Sequence, residues 1–332
     1  MITRRSLLGY TSSIIGSSLL LGAGSSIATA ANAASALTLY GPPVGPSVTL
    51  AYMAKQGLLS KAAGGTVDFE IYKSPDVLRA NFVSGDWKLA VTPSYVAANL
   101  ANKGLPVKML NIMTWGMLYV LSFDEAIKKP EDLVGETVGM FFRNDMPDLV
   151  FGRVMEEKGL KVGTDYKLHY VGTPFEALQL LLSGRIKHCV LPEPAATAGM
   201  VKGKKLGKKL YRSLDLAKEW ASVTGGEGRF PMAGAMVHQD LLDKNPALIE
   251  EFQKQAMEGT KWVQGNPMEA AKVAAETMPL PAPVIAKSIP HTHLTMERAS
   301  DIRNELETFY GLLAEKNPAI IGGKLPDASF YL

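Results

Sequence analysis

Between residues 37 and 237, short apolar runs alternate with longer segments of mixed apolar and polar residues. The short runs predict strands, and the longer segments predict helices. The predicted strands cover residues 37–40, 67–72, 88–91, 107–113, 118–123, 137–141, 167–171, 188–191 and 232–237. The predicted helices cover about 46–57, 75–82, 94–101, 147–158, 174–182 and 193–200. Beyond residue 237, helix starts are predicted at Asn245-Pro246, Asn266-Pro267 and Thr295-Met296-Glu297.

Such alternation predicts an α/β fold with two lobes, each built on a doubly wound sheet. The two sets of elements are joined near residues 124–130 and again near 222–232. Two hinge crossings are therefore expected. We assign residues 37–125 and 230–332 to lobe 1, and residues 126–229 to lobe 2.

Three predicted strands end in Ser-Pro or Thr-Pro, namely Ser74-Pro75, Thr92-Pro93 and Thr173-Pro174. A hydroxyl suits the N-cap of a helix, and proline suits the first helical position because its missing N–H has no partner there. Thr173 with Glu176 also fits a capping box. Since helix starts of this kind follow strand ends, we expect them to face the crevice between the lobes and to attract a small polar or anionic ligand.

The first 36 residues have the composition of an export signal. Arg4 and Arg5 precede an apolar run that ends in small residues, which is typical of a signal peptide of the twin-arginine type. Ala30, Ala33 and Ala36 are alternative cleavage positions. An uncleaved membrane anchor is the other interpretation, although serines dilute the run. We expect a protein that is exported to the periplasm.

The net charge bears on the class of partner. The formal charge is +3, and the loss of Arg4 and Arg5 with the leader leaves about +1. A nearly neutral chain gives no reason to expect nucleic acid as a partner. The basic run 202–209 is interpreted as a solvated surface segment, with contact to an acidic partner as the alternative.

Few side chains suggest catalysis or a cofactor. Cys189, the single cysteine, lies in an apolar run, which predicts a buried thiol rather than a nucleophile. His291 and His293 lack a clear third metal ligand. The chain shows no phosphate-binding or dinucleotide-binding glycine signature. We expect no cofactor, no metal and no enzyme activity.

Several motifs resemble periplasmic substrate-binding proteins of the nitrate/sulfonate/taurine type, which serve ABC importers. They occur in the family's order over roughly residues 37–265, and they are 84–92 (SGDWKLAVT), 104–108 (GLPVK), 130–139 (PEDLVGETVG), 175–186 (FEALQLLLSGRI) and 192–194 (PEP). The resemblance implies a two-lobed type II periplasmic-binding-protein fold that delivers a solute to a permease.

The chain departs from the family pattern at three places. Glu136 stands where the family has lysine, residues 185–188 replace an acidic residue, and residues 92–95 replace a glycine-rich turn. These departures bear on the class of ligand more than on the fold.

The position of the strand ends predicts which residues line the cleft. These are Tyr40, Gly41, Pro42, Ser74, Thr92, Ser94, Tyr95, Thr114, Trp115, Phe141, Arg143, Asn144, Thr173 and Glu193. Arg143 is expected to clamp a carboxylate or sulfonate, or else to be exposed or in an ion pair between the lobes. Tyr95 and Trp115 either stack on a planar ligand or pack internally. Glu193 either meets a cation or caps its helix.

The main hypothesis is a monomeric, exported solute-binding protein that captures a small organic ligand and passes it to an ABC permease. The ligand is expected to be anionic, like a sulfonate or carboxylate, or planar. Two alternatives remain: an extracytoplasmic enzyme on the same fold, and a ligand-sensing partner of a membrane sensor kinase.

Overall fold

The computed structural model describes residues 36–226 and 228–332. Apart from Ala36, the predicted signal peptide lies outside the described residues. Strands β1 to β12 cover Leu37–Gly41, Val67–Ile71, Leu89–Pro93, Val107–Met109, Asn111–Trp115, Leu118–Ser122, Thr137–Phe141, Lys167–Val171, His188–Pro192, Tyr211–Asp215, Pro231–His238 and Leu294–Arg298.

Helices alternate with these strands, as the hydrophobic pattern predicts. Helices α1 to α13 cover Gly45–Lys55, Ser60–Ala63, Pro75–Ser84, Ser94–Asn102, Met146–Glu157, Pro174–Ser183, Ala195–Lys205, Leu216–Thr224, Gln239–Lys244, Pro246–Gly265, Pro267–Ala274, Ala282–Ser288 and Arg303–Lys316. Short 3₁₀ turns cover Pro130–Leu133, Ile289–His291, Pro318–Ile321 and Ala328–Phe330. No described helix is long and apolar enough to cross a membrane.

The strands form two mixed sheets with the same internal order. The first sheet runs β2-β1-β3-β11-β5-β12, with β4 also paired to β11. The second runs β8-β7-β9-β6-β10. In each sheet three parallel strands come first, and an antiparallel strand from the other part of the chain follows them. This confirms the two-lobed type II fold.

The chain crosses between the sheets twice. β5 ends the first passage through the first sheet, and β6 begins in the second sheet after only Gly116 and Met117. Gly116 has a φ of 40°, and a Cβ there would lie 2.9 Å from atoms of Ala217 and Phe230, so the crossing requires glycine. The return passage lies between α8 and β11.

The pairing of β6 differs from the sequence prediction. Residues 118–123 were expected to lead out of lobe 1, but β6 pairs with β9 and β10 and belongs to the second sheet. The local hydrophobic pattern shows that residues 118–123 form a strand, but not which sheet the strand joins. That choice depends on pairing with residues that are distant in the sequence. The limits of the two lobes stay a prediction.

Two elements differ in type or extent from the prediction. Residues 294–298 form β12, paired with β5, where the motif Thr295-Met296-Glu297 predicted a helix start. Residues 107–113 were predicted as one strand but form β4 and the start of β5. β10 and α8 were not predicted.

The buried apolar side chains form two clusters, and each cluster contains residues of both sheets. Trp220, Phe230 and Phe309 pack together beside the return passage, with ring centroids 5.6–5.9 Å apart. Such packing removes large aromatic surfaces from water.

Candidate functional site

The carboxyl ends of all six parallel strands meet around one cavity of about 570 Å³. Residues after β1, β2 and β3 form one wall, and residues after β7, β8 and β9 form the other. Met117 lines it from the first crossing and Met232 from the start of β11, and Thr277 and Pro279 line it from the segment between α11 and α12. A cavity of this size and place is typical of a small-molecule site.

The wall that follows β2 is built by a capped helix. Ser74 is the N-cap of α3, and its Oγ accepts a hydrogen bond from the Val77 amide at 3.4 Å. Pro75 occupies the first helical position. Both features were predicted from the Ser-Pro motif and are confirmed.

The wall that follows β8 repeats this device. Thr173 caps α6, and its Oγ1 accepts a hydrogen bond from the Glu176 amide at 3.2 Å. The reciprocal bond of a capping box is displaced by one residue, because the Glu176 carboxylate accepts from the Gly172 amide at 2.8 Å. The cap is therefore confirmed, but the complete capping box is not formed.

The third Ser/Thr-Pro motif does not cap a helix. Thr92 lies inside β3 opposite Gly234 of β11, and Pro93 is still in the strand, paired with Ala233. Pairing with β11 keeps this backbone extended, so α4 begins at Ser94 as predicted, but Pro93 and not Thr92 is its N-cap. Pro93 tolerates the last strand position since it donates no hydrogen bond there.

Glu193 lines the cavity, but its carboxylate is fully buried and paired. One oxygen accepts a hydrogen bond from Arg212 Nε at 3.0 Å, and the other accepts from the Thr197 amide in the first turn of α7 at 3.0 Å. The second contact is the helix-capping alternative that the sequence suggested. The sequence did not reveal Arg212, because β10 was not predicted and the pair is 19 residues apart.

Tyr95 brings the two lobes into electrostatic contact at the cavity wall. It lies in α4 and is only 2% exposed, and the Asp145 carboxylate at the start of α5 acts on its hydroxyl. Burial and then this carboxylate raise the pKa of Tyr95 well above its usual value. The hydroxyl therefore stays protonated.

Six of the fourteen predicted site residues line the cavity, and they come from both lobes. They are Pro42, Ser74, Tyr95, Phe141, Thr173 and Glu193. The other eight do not line it, and each has a different position in the fold.

Four of these eight lie in the first sheet or at its edge with other partners. Thr92 and Ser94 are fully buried, and Ser94 Oγ donates to the Pro231 carbonyl. Tyr40 stacks on Trp87 with ring centroids 3.9 Å apart. Gly41, the last residue of β1, accepts a hydrogen bond from the Tyr72 amide at 3.0 Å.

Thr114 and Trp115 form the buried end of β5 instead of a cavity wall. Thr114 Oγ1 donates to the Thr292 carbonyl. Trp115 Nε1 donates to Glu297, and the Arg229 guanidinium lies 4.0 Å from the Trp115 ring centroid. For Trp115 the structure shows internal packing.

Arg143 and Asn144 follow β7 but turn away from the cavity. Arg143 is exposed and lies over the Tyr170 ring at 5.0 Å. Asn144 has a φ of 59°, and its amide donates to Asp148 Oδ2 at 2.8 Å. In this structure, then, the predicted anion clamp is not brought to the cavity wall.

The sequence did not reveal most of the apolar side chains of the wall. Phe175, Met117, Met146 and Met232 line it, together with Phe142, which follows the predicted Phe141. Nine prolines also line it, namely Pro42, Pro43, Pro75, Pro93, Pro147, Pro174, Pro192, Pro194 and Pro279. The recurrence of proline at strand ends is the available signal; it led us to place these strand ends at the crevice but not to predict that the prolines themselves form so much of its wall.

The remaining side chains considered for chemistry have structural surroundings. Cys189 is fully buried in β9, and burial raises its thiol pKa. His293 Nδ1 donates to the Gly116 carbonyl at 2.6 Å. No cluster of three or more metal-ligating side chains occurs within residues 36–226 and 228–332.

The basic run 202–209 begins in the last turns of α7 and continues beyond its end. Most of its lysines are exposed, and Lys209 pairs with Glu125 at 3.7 Å. A solvated surface segment describes this run, whereas contact with an acidic partner stays a prediction.

Several solved structures share this fold at low sequence identity. An ABC transporter protein from Parabacteroides distasonis is 21% identical with a TM-score of 0.73, and the alignment covers 89% of this chain and 97% of that one. The periplasmic aliphatic sulphonate binding protein SsuA from Escherichia coli is 18% identical with a TM-score of 0.67, and the alignment covers 87% of this chain and 96% of SsuA. The periplasmic nitrate-binding protein NrtA from Synechocystis PCC 6803 is 14% identical with a TM-score of 0.68, covering 90% and 87%.

These likenesses confirm the fold that the motifs implied. No curated protein sequence matches the chain. Residues 40–278, well over half of the sequence, match the family model described as NMT1-like. The chain belongs to the NMT1-like family.

Proposed function

We propose that this protein is an exported solute receptor that holds a small organic molecule between its two lobes and delivers it to the permease of an ABC importer. The observation that carries this proposal is the convergence of all six parallel strand ends on one cavity of about 570 Å³. Ligands of α/β proteins bind beyond the carboxyl ends of parallel strands.

The side chains that line the cavity suit the binding of a solute better than catalysis. Glu193, the buried acid of the wall, is paired with Arg212, and Cys189 is buried in a strand. The Tyr95 hydroxyl lies beside the Asp145 carboxylate, but burial and this charge raise its pKa, so it keeps its proton. Binding without turnover is the function that these groups support.

The similar solved proteins support the same role. SsuA and NrtA are described as periplasmic binding proteins for aliphatic sulphonate and nitrate. By analogy we propose a periplasmic location, reached through the twin-arginine signal, and a monomer that docks on a permease. We also propose that lobe 1 contains residues 37–125 and 230–332, except that β6 belongs with lobe 2.

We propose that Pro42, Ser74, Tyr95, Phe141 and Thr173 form the contact surface for the solute. They come from both lobes, so a bound molecule would bridge the lobes. Bridging gives the closed form a larger buried apolar surface than the open form, and the solute thereby favours closure.

A thermal-shift screen of small organic compounds tests the receptor role. A specific binder at a hundredfold excess over its Kd is expected to stabilise the protein by about 2.7 kcal/mol, seen as a higher Tm. The Met232→Trp variant fills the cavity and is expected to lose the shift. Met268→Trp places the same side chain on α11, where Met268 is 39% exposed, and is expected to keep it.

The same screen separates a receptor from an enzyme. Mass spectrometry of the compound after incubation is expected to recover it unchanged. A product of altered mass, formed by the wild type and not by Met232→Trp, would show an enzyme in place of a receptor. Equal Tm shifts in the wild type, Met232→Trp and Met268→Trp would mean that the compound binds outside the cavity.

A further inference from the structure

We infer that the cavity takes an uncharged, largely apolar ring compound and disfavours anions. This inference rests on the proposed function and narrows it to a class of solute. It follows from which donors and charges the four capped helices leave facing the cavity.

Four of the six helix starts at this cavity, those of α3, α5, α6 and α7, lack much of their capacity to bind anions. An anion site at a helix start needs free amides and an uncompensated positive end of the helix dipole. Helices α1 and α4 have neither a side-chain cap nor an acidic residue in the first turn, although in α1 Pro46 removes one amide and the Ser47 amide donates to the Val44 carbonyl at 3.0 Å.

Pro75 and Pro174 remove the first amide of α3 and α6, and the Ser74 and Thr173 hydroxyls take the third. One free amide remains at each start, which is enough for a neutral acceptor such as a carbonyl oxygen.

The start of helix α5 also has few free amides. Pro147 lies in its first turn, and the Asp145 carboxylate accepts from the Met146 amide at 2.8 Å. In α7 the Glu193 carboxylate accepts from the Thr197 amide at 3.0 Å. The chain's own carboxylates therefore take one donor at each of these two helix starts, and Pro147 removes a second one from α5.

Carboxylates also offset the positive ends of these helices. Glu176 lies in the first turn of α6 and Asp148 in that of α5, while Asp145 caps α5. Asp76 in the first turn of α3 is exposed and pairs with Arg79, so its charge counts little here. Each of the other negative charges lowers the potential that a helix dipole offers to a ligand. An entering anion would meet carboxylates at the places where the fold would otherwise favour it.

The cations near the cavity have partners or are open to water. Arg79 pairs with Asp76 at 3.0 Å, and Arg212 pairs with the Glu193 carboxylate. Arg143 lies over the Tyr170 ring, outside the cavity wall. Among the described residues that line the cavity, Lys73 is the one with a cationic side chain. It is exposed to solvent, which screens its charge.

The remaining surface is apolar and rigid. Nine prolines, Phe141, Phe142 and Phe175 dominate it, with Met117, Met146 and Met232 as adaptable neighbours. Prolines and aromatic rings hold a fixed shape, and flat apolar surfaces bind rings by excluding water. An uncharged ring compound matches this wall in polarity and in stiffness.

Two fluorescent dyes that share one ring system provide the test. N-phenyl-1-naphthylamine is uncharged, and 8-anilino-1-naphthalenesulfonate adds one sulfonate. Titration of each into the full chain is expected to give a Kd at least about tenfold lower for the uncharged dye. Binding of the uncharged dye is expected to disappear in Met232→Trp and to persist in Met268→Trp.

The Asp145→Asn variant tests the electrostatic reason, because asparagine keeps the helix cap while removing the charge. It is expected to bind the sulfonate dye at least about threefold more tightly, with the uncharged dye unchanged within twofold. If the sulfonate affinity does not change, the carboxylates are not the cause of the discrimination.

Three outcomes would overturn the inference. In the first, the sulfonate dye binds as tightly as the uncharged dye, and Met232→Trp abolishes its binding. In the second, neither dye binds. In the third, the dyes bind Met232→Trp as well as they bind the wild type. The receptor role would survive each of them if a small anion such as nitrate or methanesulfonate raised the Tm of the wild type but not of Met232→Trp. Failure of every compound class in that thermal-shift assay would count against the receptor role itself.

Discussion

At the residue scale, the tightest backbone approach in the first sheet depends on a single glycine. A Cβ on Gly234 in β11 would overlap the carbonyl of Asn111 in β5. Asn111 also holds this region through its side chain, since its Oδ1 accepts from the Ala235 amide at 3.0 Å. Two strands that meet beside the cavity are therefore kept in register by a position that has no room for a side chain.

Replacement of Gly234 by alanine is expected to lower the free energy of unfolding by about 2–4 kcal/mol, because backbone must move to admit the methyl group. Urea denaturation measures this. Gly311 is the matched control: it lies in α13 with open space around its Cβ position. Gly311→Ala is expected to stabilise by about 0.5–1 kcal/mol. Similar effects of the two substitutions would contradict the close approach.

His188 is a second residue whose environment has a measurable consequence. It is fully buried in β9, with Nδ1 2.8 Å from Ser122 Oγ of β6. Burial lowers its pKa below the usual value, and the nearby Glu136 carboxylate only partly opposes this. His238 and His291 are shifted in the same direction, also mainly by burial.

Because the folded pKa of His188 is lowered, the unfolded chain binds a proton more readily than the native protein does. Stability is therefore fully present above the unfolded pKa of about 6.5 and falls as the pH drops below it. Urea denaturation at about pH 7.5 and pH 5.5 is expected to show this loss, and a smaller loss for His188→Gln. An equal loss in the variant would mean that His188 does not contribute.

At the scale of elements, the capped start of α6 is the most direct link between sequence and site. Thr173→Ala removes the hydroxyl that accepts from the Glu176 amide. The free energy of unfolding is expected to fall by about 1 kcal/mol, whereas Thr173→Ser keeps the cap and is expected to change it by only a few tenths. Thermal or urea unfolding of both variants checks this. An alanine variant as stable as the wild type would refute the cap.

Elements set by local sequence were predictable, and elements set by distant pairing were not. Ser74-Pro75 and Thr173-Pro174 start helices as predicted, since the capping bonds lie within three residues. Thr92-Pro93 looks the same locally but is held extended by β11, about 140 residues away in sequence. Residues 294–298 likewise form a strand because β5 pairs with them.

At the scale of the whole molecule, both sheets place three parallel strand ends at one shared cavity. The order of motifs was enough to predict the type II fold, and six of the predicted site residues lie in the wall. The character of that wall was not predictable. It depends on where prolines and carboxylates meet in space, and on Arg212, which joins Glu193 from a strand that the pattern did not reveal.

Helices α5 and α13, which the proposed limits assign to different lobes, also meet outside the cavity through ion pairs. Arg153 pairs with Glu315 at 3.0 Å, and Lys316 pairs with Glu156 at 2.7 Å. All four side chains are partly exposed, so each pair is expected to contribute less than about 1 kcal/mol. These contacts orient the lobes weakly, and a solute in the cavity is expected to contribute more to closure.

The most direct test of the account is a calorimetric titration with the compound that stabilises the protein most in the thermal-shift screen. The wild type and Met268→Trp are expected to bind one molecule with the same Kd, and Met232→Trp is expected to bind at least about a hundredfold more weakly. Binding of equal strength in all three proteins would contradict the claim that the cavity between the two sheets is where this protein holds its solute.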